Sequence, residues 1–303
     1  MKKSLIALAA LGAMSAASAQ SSLNLYGIAD VVIHKDKGVA AKMTSGGVSS
    51  SRIGFKGTED LGGGLKANFL LEKGVDLTSG AAAGFDRQSY VGLSNQFGEV
   101  RLGGVYTAYD DVAAATSPVF DSVLSPTKFL PTLNDYNYKP DGNIYYASPD
   151  FGGFSGAAST SLKQKPGNKA TAFHVKYEGG PVYVSLGYQR DSASGSSTTF
   201  TRLNGSYDLG VAKILAGYGV EKDVSKDLTL GVDVPLSANL TLSAGYARAK
   251  LDAGGTATGF GLAAAYSLSK RTTVYGGLRN DNVDAVTLGG VDSRVGFGLK
   301  HTF

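Results

Sequence analysis

The sequence contains no cysteine, no tryptophan and only three histidines among its 303 residues. Without cysteine, the chain can form neither a disulfide framework nor a thiolate metal site. The shortage of histidine leaves few candidates for metal binding or acid–base catalysis, and neither a G-x-S-x-G nor an H-E-x-x-H motif is present. We therefore expect no metal, no cofactor and no enzymatic activity.

Long apolar runs are also missing outside the first residues. Residues 1–19 have a basic start, an apolar centre and the small-residue end Ala17-Ser18-Ala19, which is typical of a secretory signal peptide cleaved after Ala19. The apolar centre is too short to span a bilayer as a helix, and no later stretch approaches 18 consecutive apolar residues. If residues 20–303 lie in a membrane, they must cross it as strands.

The charge balance and the composition narrow the class of protein. Removing Lys2 and Lys3 from the 29 basic residues leaves 27, against 25 acidic residues. This near-neutral balance gives no reason to expect a nucleic-acid partner. Glycine (42 residues), tyrosine (16) and phenylalanine (13) are abundant, which is unlike a disordered chain.

Apolar and polar residues alternate with a period of two from end to end. The alternation is clear in 23–33, 65–72, 182–188, 228–234 and 294–303. Such segments are typical of strands whose two faces meet different environments. Most of the segments run about nine to twelve residues, the length that a tilted strand needs to cross a bilayer.

Two kinds of connection alternate strictly along the chain. The short, turn-forming kind occurs at 61–64, 95–98, 149–153, 178–181, 208–210, 235–239 and 268–271. The more polar, mostly longer kind occurs at 35–50, 77–86, 107–142, 163–169, 191–198, 222–226, 252–255 and 282–291. Fifteen connections join sixteen strands. An even strand number with short turns at one rim favours an outer-membrane barrel over a soluble sandwich or propeller, whose strands are usually shorter.

Several long motifs resemble the general porins of β-proteobacteria, of the Burkholderia, Bordetella and Neisseria type. They are SRIGFKGTEDLGGGLKANFLLE (51–72), RQSYVGLSNQFGEVRLGG (87–104), NIYYASPDFGGFSG (143–156), YSLSKRTTVYGGLRNDN (266–282) and VGFGLKHTF (295–303). The resemblance spans essentially all of residues 20–303. It implies an all-β, sixteen-stranded antiparallel transmembrane barrel in the outer membrane, and passive diffusion of ions and small hydrophilic solutes through a water-filled channel.

The same resemblance implies partners and an inward-folded loop. The partners are two further copies of the chain in a homotrimer, outer-membrane lipid or lipopolysaccharide, and the barrel-assembly machinery. The third long loop, about 107–142, is expected to fold inward and narrow the pore. The alternative is a surface loop that never enters the lumen, since loops generally stay outside.

The resemblance also suggests the charges at the pore constriction. One wall would carry a basic ladder, and the loop would face it with carboxylates; the candidates are Arg52, Lys66, Arg87 and Arg101 on the wall and Asp110, Asp111 and Asp121 on the loop. Opposed rings of charge create a transverse field, and the excess sign at the narrowest ring selects ions. Each of these charges could instead be a solvated lumen residue or a loop anchor without effect on selectivity.

The chain departs from the family pattern where selectivity would be set. Many members carry Arg where Tyr145 stands and Asp where Ala147 stands, and often read LGRQ where residues 102–105 read LGGV. The loss of two basic positions predicts weak anion preference or little selectivity. A solute-specific channel and an adhesin-like structural barrel remain alternatives to the general porin.

The last strand resembles the signal that the barrel-assembly machinery recognises. It ends on Phe303, with Phe297 and Leu299 on the same face. Phe303 could also belong to the aromatic girdle at the membrane interface, and both roles can hold at once.

Overall fold

The described residues of the computed structural model are 22–82, 84–162, 169–193 and 195–303. The predicted signal peptide, residues 1–19, lies outside them. The strands form one antiparallel sheet: β1 (Ser22–Asp36), β2 (Lys42–Ser45), β3 (Arg52–Gly62), β4 (Leu65–Gly74), β5 (Ser89–Asn95), β6 (Gly98–Gly104), β7 (Asn143–Ala147), β8 (Phe154–Ser161), β9 (Lys169–Gly179), β10 (Val182–Ala193), β11 (Ser196–Asp208), β12 (Lys213–Glu221), β13 (Ser225–Pro235), β14 (Leu240–Leu251), β15 (Thr256–Ser267), β16 (Thr272–Asp281) and β17 (Ser293–Thr302).

Among the described residues, helical structure is confined to two of the long loops. The described elements are α1 (Asp110–Ala113), α2 (Pro131–Asn134) and α3 (Val283–Thr287), with short 3₁₀ turns at Val119–Asp121 and Pro126–Phe129. No helix within the described ranges is long and apolar enough to cross a membrane. The alternation of strands predicted none of these helices, because each is only about one turn long. The helix α2 begins at a proline and α3 is capped by the Asn282 side chain, whereas α1 has neither signal.

The sheet closes on itself through its first strand. The β1 strand pairs with β17 over residues 28–36 and with β3 over residues 22–28. The remaining strands pair in chain order, and the short β2 pairs with β1 from within the first long loop. Sixteen strands therefore form a closed antiparallel barrel, as the sequence predicts, and β2 is an unpredicted addition to the first loop.

Short turns and long loops alternate as expected, so one rim carries all seven short turns. The strands β5 to β8 contain five to eight residues, fewer than the nine to twelve expected. They are short because the adjoining loops, 75–88 and 105–142, leave the sheet early. The strands on the opposite side of the barrel have the expected length.

The two faces of the wall differ in polarity. Apolar side chains such as Leu25, Val91 and Phe297 are 56%, 58% and 59% exposed on one face. The alternate positions carry buried polar side chains, for example Gln189 and Asn204. In hydrocarbon the backbone must be paired within the protein, so a closed barrel with an apolar exterior and a polar interior is the stable arrangement.

The long loop 105–142 packs against the polar face of the wall. Val119 and Leu124 contact Ala263, while Phe129 and Leu130 contact a group of small wall residues, Ala247, Ala249 and Ala257. These alanines lie on the face opposite the exposed apolar side chains. The small side chains of the wall leave room for the larger loop side chains at these contacts.

Phe303 lies at the seam of the barrel. Its backbone N–H donates to the carbonyl of Gly27 at 3.1 Å, and its carbonyl accepts from the Gly27 N–H at 3.0 Å. A Cβ at Gly27 would lie 2.3 Å from the Phe303 ring, so the ring covers the glycine directly. The last residue of the chain thus extends the pairing that closes the sheet.

Deleting Phe303 removes two backbone hydrogen bonds from the seam, each contributing about 1 kcal/mol, together with the ring contact. We expect less folded barrel in the outer membrane, while the conductance of the channels that do insert stays unchanged. Heat-modifiable mobility of membrane fractions on gels measures the folded fraction, with Phe303→Tyr as the matched control. Normal insertion of the deletion variant would contradict the predicted role of Phe303 in assembly.

Candidate pore constriction

A buried carboxylate organises the basic side of the wall. Glu72 of β4 is 4% exposed and accepts a hydrogen bond from Tyr26 Oη at 2.8 Å. Its other oxygen lies 2.6 Å from Arg87 Nε and 3.6 Å from Arg52 Nη1. Two predicted arginines therefore share one carboxylate, which leaves the group with a net positive charge.

Arg101 has a separate environment. It pairs with Glu99 at 2.5 Å on the same strand and lies over the rings of Tyr90 and Tyr145, at 5.3 and 5.1 Å. The Tyr145 hydroxyl in turn donates to Asp111 at 2.5 Å. The tyrosine at this family position thus connects a wall arginine to the loop through a neutral group, instead of adding a charge.

Lys66 lies away from the other predicted basic residues. It is the second residue of β4 and pairs with Asp60, next to the short turn, whereas Arg52 pairs with Gly74 at the loop end of the same hairpin. Eight residues separate Arg52 from Asp60 along β3, about 26 Å at the strand rise. The structure therefore does not bring Lys66 to the level of Arg52 and Arg87.

Two predicted loop carboxylates begin the helix α1. Asp110 accepts from Tyr136 Oη at 2.7 Å, and Asp111 accepts from Tyr145 and lies 3.7 Å from His174 Nδ1. Burial raises the pKa of both carboxyls to about 6, because desolvation disfavours the charged form. The hydrogen bonds from the two tyrosines oppose this rise only in part.

Asp121 ends a strained turn of the long loop. The φ angles of Val119, Phe120 and Asp121 are 57°, 58° and 48°, the left-handed region that costs a non-glycine residue about 1 kcal/mol or more. The bond from Val119 N to Ser243 Oγ, at 2.8 Å, holds the turn to the wall. Asp121 then pairs with Lys128 at 2.7 Å.

The loop is fixed to the wall by buried polar contacts on the opposite side of the barrel. The Asp227 carboxylate accepts from both the N–H and the hydroxyl of Thr132, at 3.0 and 2.7 Å. Arg202 donates to the same hydroxyl at 3.1 Å, and Asn204 donates to the carbonyl of Val112 at 2.7 Å. Since these groups are buried, breaking one bond would leave an unsatisfied partner, which stabilises the observed position of the loop.

Residues 46–51 of the first long loop also turn onto the polar face. The buried carboxylate of Asp30 accepts two backbone N–H groups of this stretch, at 2.9 and 2.7 Å, and the hydroxyl of Tyr275 at 2.5 Å. The Gly47 carbonyl accepts from Val123 of the long loop at 2.8 Å. A Cβ at Gly47 would lie 1.8 Å from the Tyr275 oxygen, so this close approach requires glycine.

Two cavities meet between these loops. The larger, about 770 Å³, lies between the first and second long loops, and the smaller, about 390 Å³, lies beside the third. Ser50 and Arg87 line both cavities. Asp110, Asp121 and Lys128 line the smaller one. Charges of both signs from the second and third long loops therefore line the smaller cavity.

The smaller cavity brings together three of the predicted residues, Arg87, Asp110 and Asp121. Arg52 is joined to them through Glu72, whereas Arg101 and Asp111 form a neighbouring group around Tyr145. The constriction residues predicted from the sequence did not include several that lie at the site: Tyr26, Ser50, Glu72, Tyr106, Lys128, Tyr136 and Tyr138. Glu72 could have been found, because it occupies the polar row of β4 nearest the second loop.

The comparisons with known proteins agree with this architecture. Residues 7–286 match the family described as Gram-negative porin. The chain belongs to the Gram-negative porin family. It is therefore an outer-membrane channel protein and not an enzyme.

Individual relatives support the same assignment. Outer membrane porin protein 32 of Delftia acidovorans is 35% identical, over 95% of this chain and 92% of that protein. The major outer membrane protein P.IB of Neisseria gonorrhoeae is 32% identical, over 71% of this chain and 60% of that protein. The structure of the anion-selective porin from Comamonas acidovorans has a TM-score of 0.79 and 28% identity, covering 94% of this chain and 100% of that one.

We expect the ion selectivity to change as the pH falls through about 6. Because the pKa values of Asp110 and Asp111 are raised to about 6, both carboxylates are largely charged at neutral pH and largely neutral near pH 5. With fewer negative charges in the site, the reversal potential measured in a KCl gradient should move toward the equilibrium potential of chloride. The double variant Asp110→Asn/Asp111→Asn should show the acidic value already at neutral pH. A wild-type reversal potential that is the same at both pH values would contradict this assignment.

Proposed function

We propose that the chain is a general diffusion porin whose narrowest part lies between Arg87 and the carboxylates Asp110 and Asp121 on the inward loop. Arg87 belongs to the second long loop and is held to the wall by its ion pair with Glu72 of β4. The observation that supports this is the cavity that Arg87 and the two aspartates share with Lys128. Such a passage is filled with water and lined by charges of both signs. It therefore carries ions and small hydrophilic solutes without a dedicated binding step.

The selectivity that we propose is weak, either slightly toward anions or nearly absent. Around the smaller cavity and its wall cluster, the basic side chains Arg52, Arg87 and Lys128 are matched by the acidic side chains Glu72, Asp110 and Asp121. A balanced ring gives no large excess of either sign. The Comamonas relative is described as anion-selective; here Tyr145 stands where many family members carry arginine.

A solute-specific channel is the second candidate, because tyrosines line the smaller cavity. The rings of Tyr106 and Tyr138 meet edge to face at 5.7 Å, and Arg87 lies 5.8 Å from the Tyr106 ring. This cluster could offer a stacking surface to a planar solute. Concentration-dependent block of single-channel current by one solute would favour the specific channel, whereas conductance linear in salt favours the general porin.

The assembly of the protein is likewise a proposal. Residues 1–19 would be removed on export, and residues 20–303 would form the barrel, with 107–142 as its inward loop. Three chains would associate, as in the trimer form of the OmpT structure, which resembles this chain in fold with a TM-score of 0.71 at 17% identity. Insertion would use the barrel-assembly machinery, and the mature trimer would contact lipopolysaccharide.

Planar-bilayer recording of the purified protein tests both the channel and its constriction. Wild-type protein should insert in groups of three equal conductance steps, with a reversal potential close to zero in a KCl gradient. Arg87→Gln should shift the reversal potential toward the equilibrium potential of potassium. The substitution removes a cation from the smaller cavity and leaves the negative charge of Glu72 less fully neutralised.

Lys66→Gln is the matched control, since it removes the same charge at the turn end of the wall. Its shift should be much smaller than that of Arg87→Gln. Equal shifts in the two variants would refute the proposed position of the constriction. Strong selectivity of either sign in the wild-type protein would refute the proposed weak selectivity, and a protein without conductance would refute the channel.

A further inference from the structure

Residues 46–51 of the first long loop, here called the inner segment, are fixed to the polar face of the wall by one residue of β1. At the start of the segment the Gly46 N–H donates to the Asp30 carbonyl at 2.7 Å, and at its end the Ser51 hydroxyl donates to the same carbonyl at 2.8 Å. Between these ends, the Asp30 carboxylate accepts two further backbone N–H groups. Asp30 therefore holds both ends and the middle of the inner segment.

Gly47, within the inner segment, has no room for a side chain. A Cβ at this position would lie 1.8 Å from the Tyr275 oxygen and 2.9 Å from the Cβ of Val32. The Tyr275 hydroxyl donates to the Asp30 carboxylate, so Asp30 also fixes the ring that covers the glycine. Any larger residue at position 47 would displace the inner segment from the wall.

The inner segment reaches the third loop through the backbone of Val123. The Val123 N–H donates to the Gly47 carbonyl at 2.8 Å, and the Val123 carbonyl accepts from Arg294 Nη1 of β17 at 3.4 Å. Arg294 is itself bound to the carboxylate of Asp36, at the loop end of β1, at 2.6 and 2.8 Å. Both backbone polar groups of Val123 are thus bonded to groups that residues of β1 hold in place.

Val123 closely follows the left-handed turn at Val119–Asp121. Such a backbone conformation persists in residues other than glycine only where the surrounding structure holds it. Before the turn, this support is the hydrogen bond from Val119 N to Ser243 Oγ. After the turn, it is the pair of bonds made by Val123. If the inner segment moves away, the turn can relax toward ordinary dihedral angles, and Asp121 moves with it.

Asp121 is the charge whose position depends on this support. Its carboxylate lines the smaller cavity and pairs with Lys128 at 2.7 Å. The inner segment reads GGVSSS and carries no charge of its own. Because the energy of an ion near a charge falls with their separation, a displacement of Asp121 would change the field in the cavity.

We propose that the inner segment, held by Asp30 and packed at Gly47, positions Asp121 in the smaller cavity. A neutral part of the first loop thereby determines how strongly a carboxylate of the third loop acts on passing ions. Asp30 and Gly47 are positioning residues, since they act on the cavity through Val123 and the strained turn. The inference rests on the proposed position of the constriction and adds the part of the chain that maintains it.

Hydrogen exchange of the detergent-solubilised folded barrel, measured by mass spectrometry, tests the contact between the two loops. In Gly47→Ala, peptides covering residues 118–125 should exchange roughly tenfold faster or more than in wild type, while β9 and β10 keep their wild-type rates. The matched control is Gly84→Ala in the second long loop, where a Cβ meets nothing within 4 Å, and it should exchange as wild type does.

Asp30→Asn is a second variant that displaces the inner segment without adding volume. It keeps the size of the side chain but replaces one carboxylate oxygen by an NH2 group, which cannot accept the bonds that the carboxylate accepts. The same local acceleration over residues 118–125 is expected. This variant decides the contact between the loops where Gly47→Ala yields too little folded barrel.

Reversal potentials in planar bilayers test the effect on selectivity without changing the charge of the inner segment. In the wild-type background, Asp121→Asn should move the reversal potential toward the equilibrium potential of chloride. In the Gly47→Ala background, the same substitution should produce about half that shift or less, because the carboxylate has already left its position. A merely structural role of Gly47 would reduce the number of inserted channels and leave the effect of Asp121→Asn unchanged.

Equal shifts by Asp121→Asn in the two backgrounds overturn the proposal, as does wild-type exchange over residues 118–125 in both Gly47→Ala and Asp30→Asn. Equally accelerated exchange throughout the wall also overturns it, since the effect would then be global. If the wild-type protein conducts no ions, the proposed function fails, while the exchange rates still decide whether the inner segment holds the third loop.

Discussion

The structure depends on one constraint: every backbone N–H and C=O in the wall must find its partner within the sheet, because hydrocarbon offers none. The β1 strand satisfies this requirement by pairing with β17 along one half and with β3 along the other. Closure fixes the diameter of the wall. The passage can then be narrowed only by chain that enters from a rim, and among the described loops the first and the third both contact the polar face of the wall.

The alternation of apolar and polar residues predicted the strands of the barrel wall, because this alternation is a property of each strand's own sequence. A strand between lipid and water shows its two faces in its own sequence, and glycine-rich turns mark its ends. The added strand β2 and the single-turn helices were not predictable in this way. They depend on distant partners, as when the Asp30 carboxylate of β1 binds the backbone of residues 46–51.

The candidate site was predicted less completely, and the reason is register. Arg52 and Lys66 occupy the same polar face of one hairpin but lie at its opposite ends, a separation that the predicted turn at 61–64 already implies. Glu72 was missed as the centre of the wall cluster because its partners come from β1 and from the second loop. Charges are visible in a sequence; their distances depend on how separate strands are aligned.

The small side chains that face the third loop have a consequence for how the chain folds. Val119 reaches Ser243, 124 residues later, and packs beside Ala263. The part of the wall that contacts Val119 therefore does not form until the last third of the chain has joined the sheet. Contacts of such long sequence separation must overcome a large loop-closure entropy and generally slow folding. The order of assembly follows: the loop reaches its final position as one of the last events, when the surrounding wall is being completed.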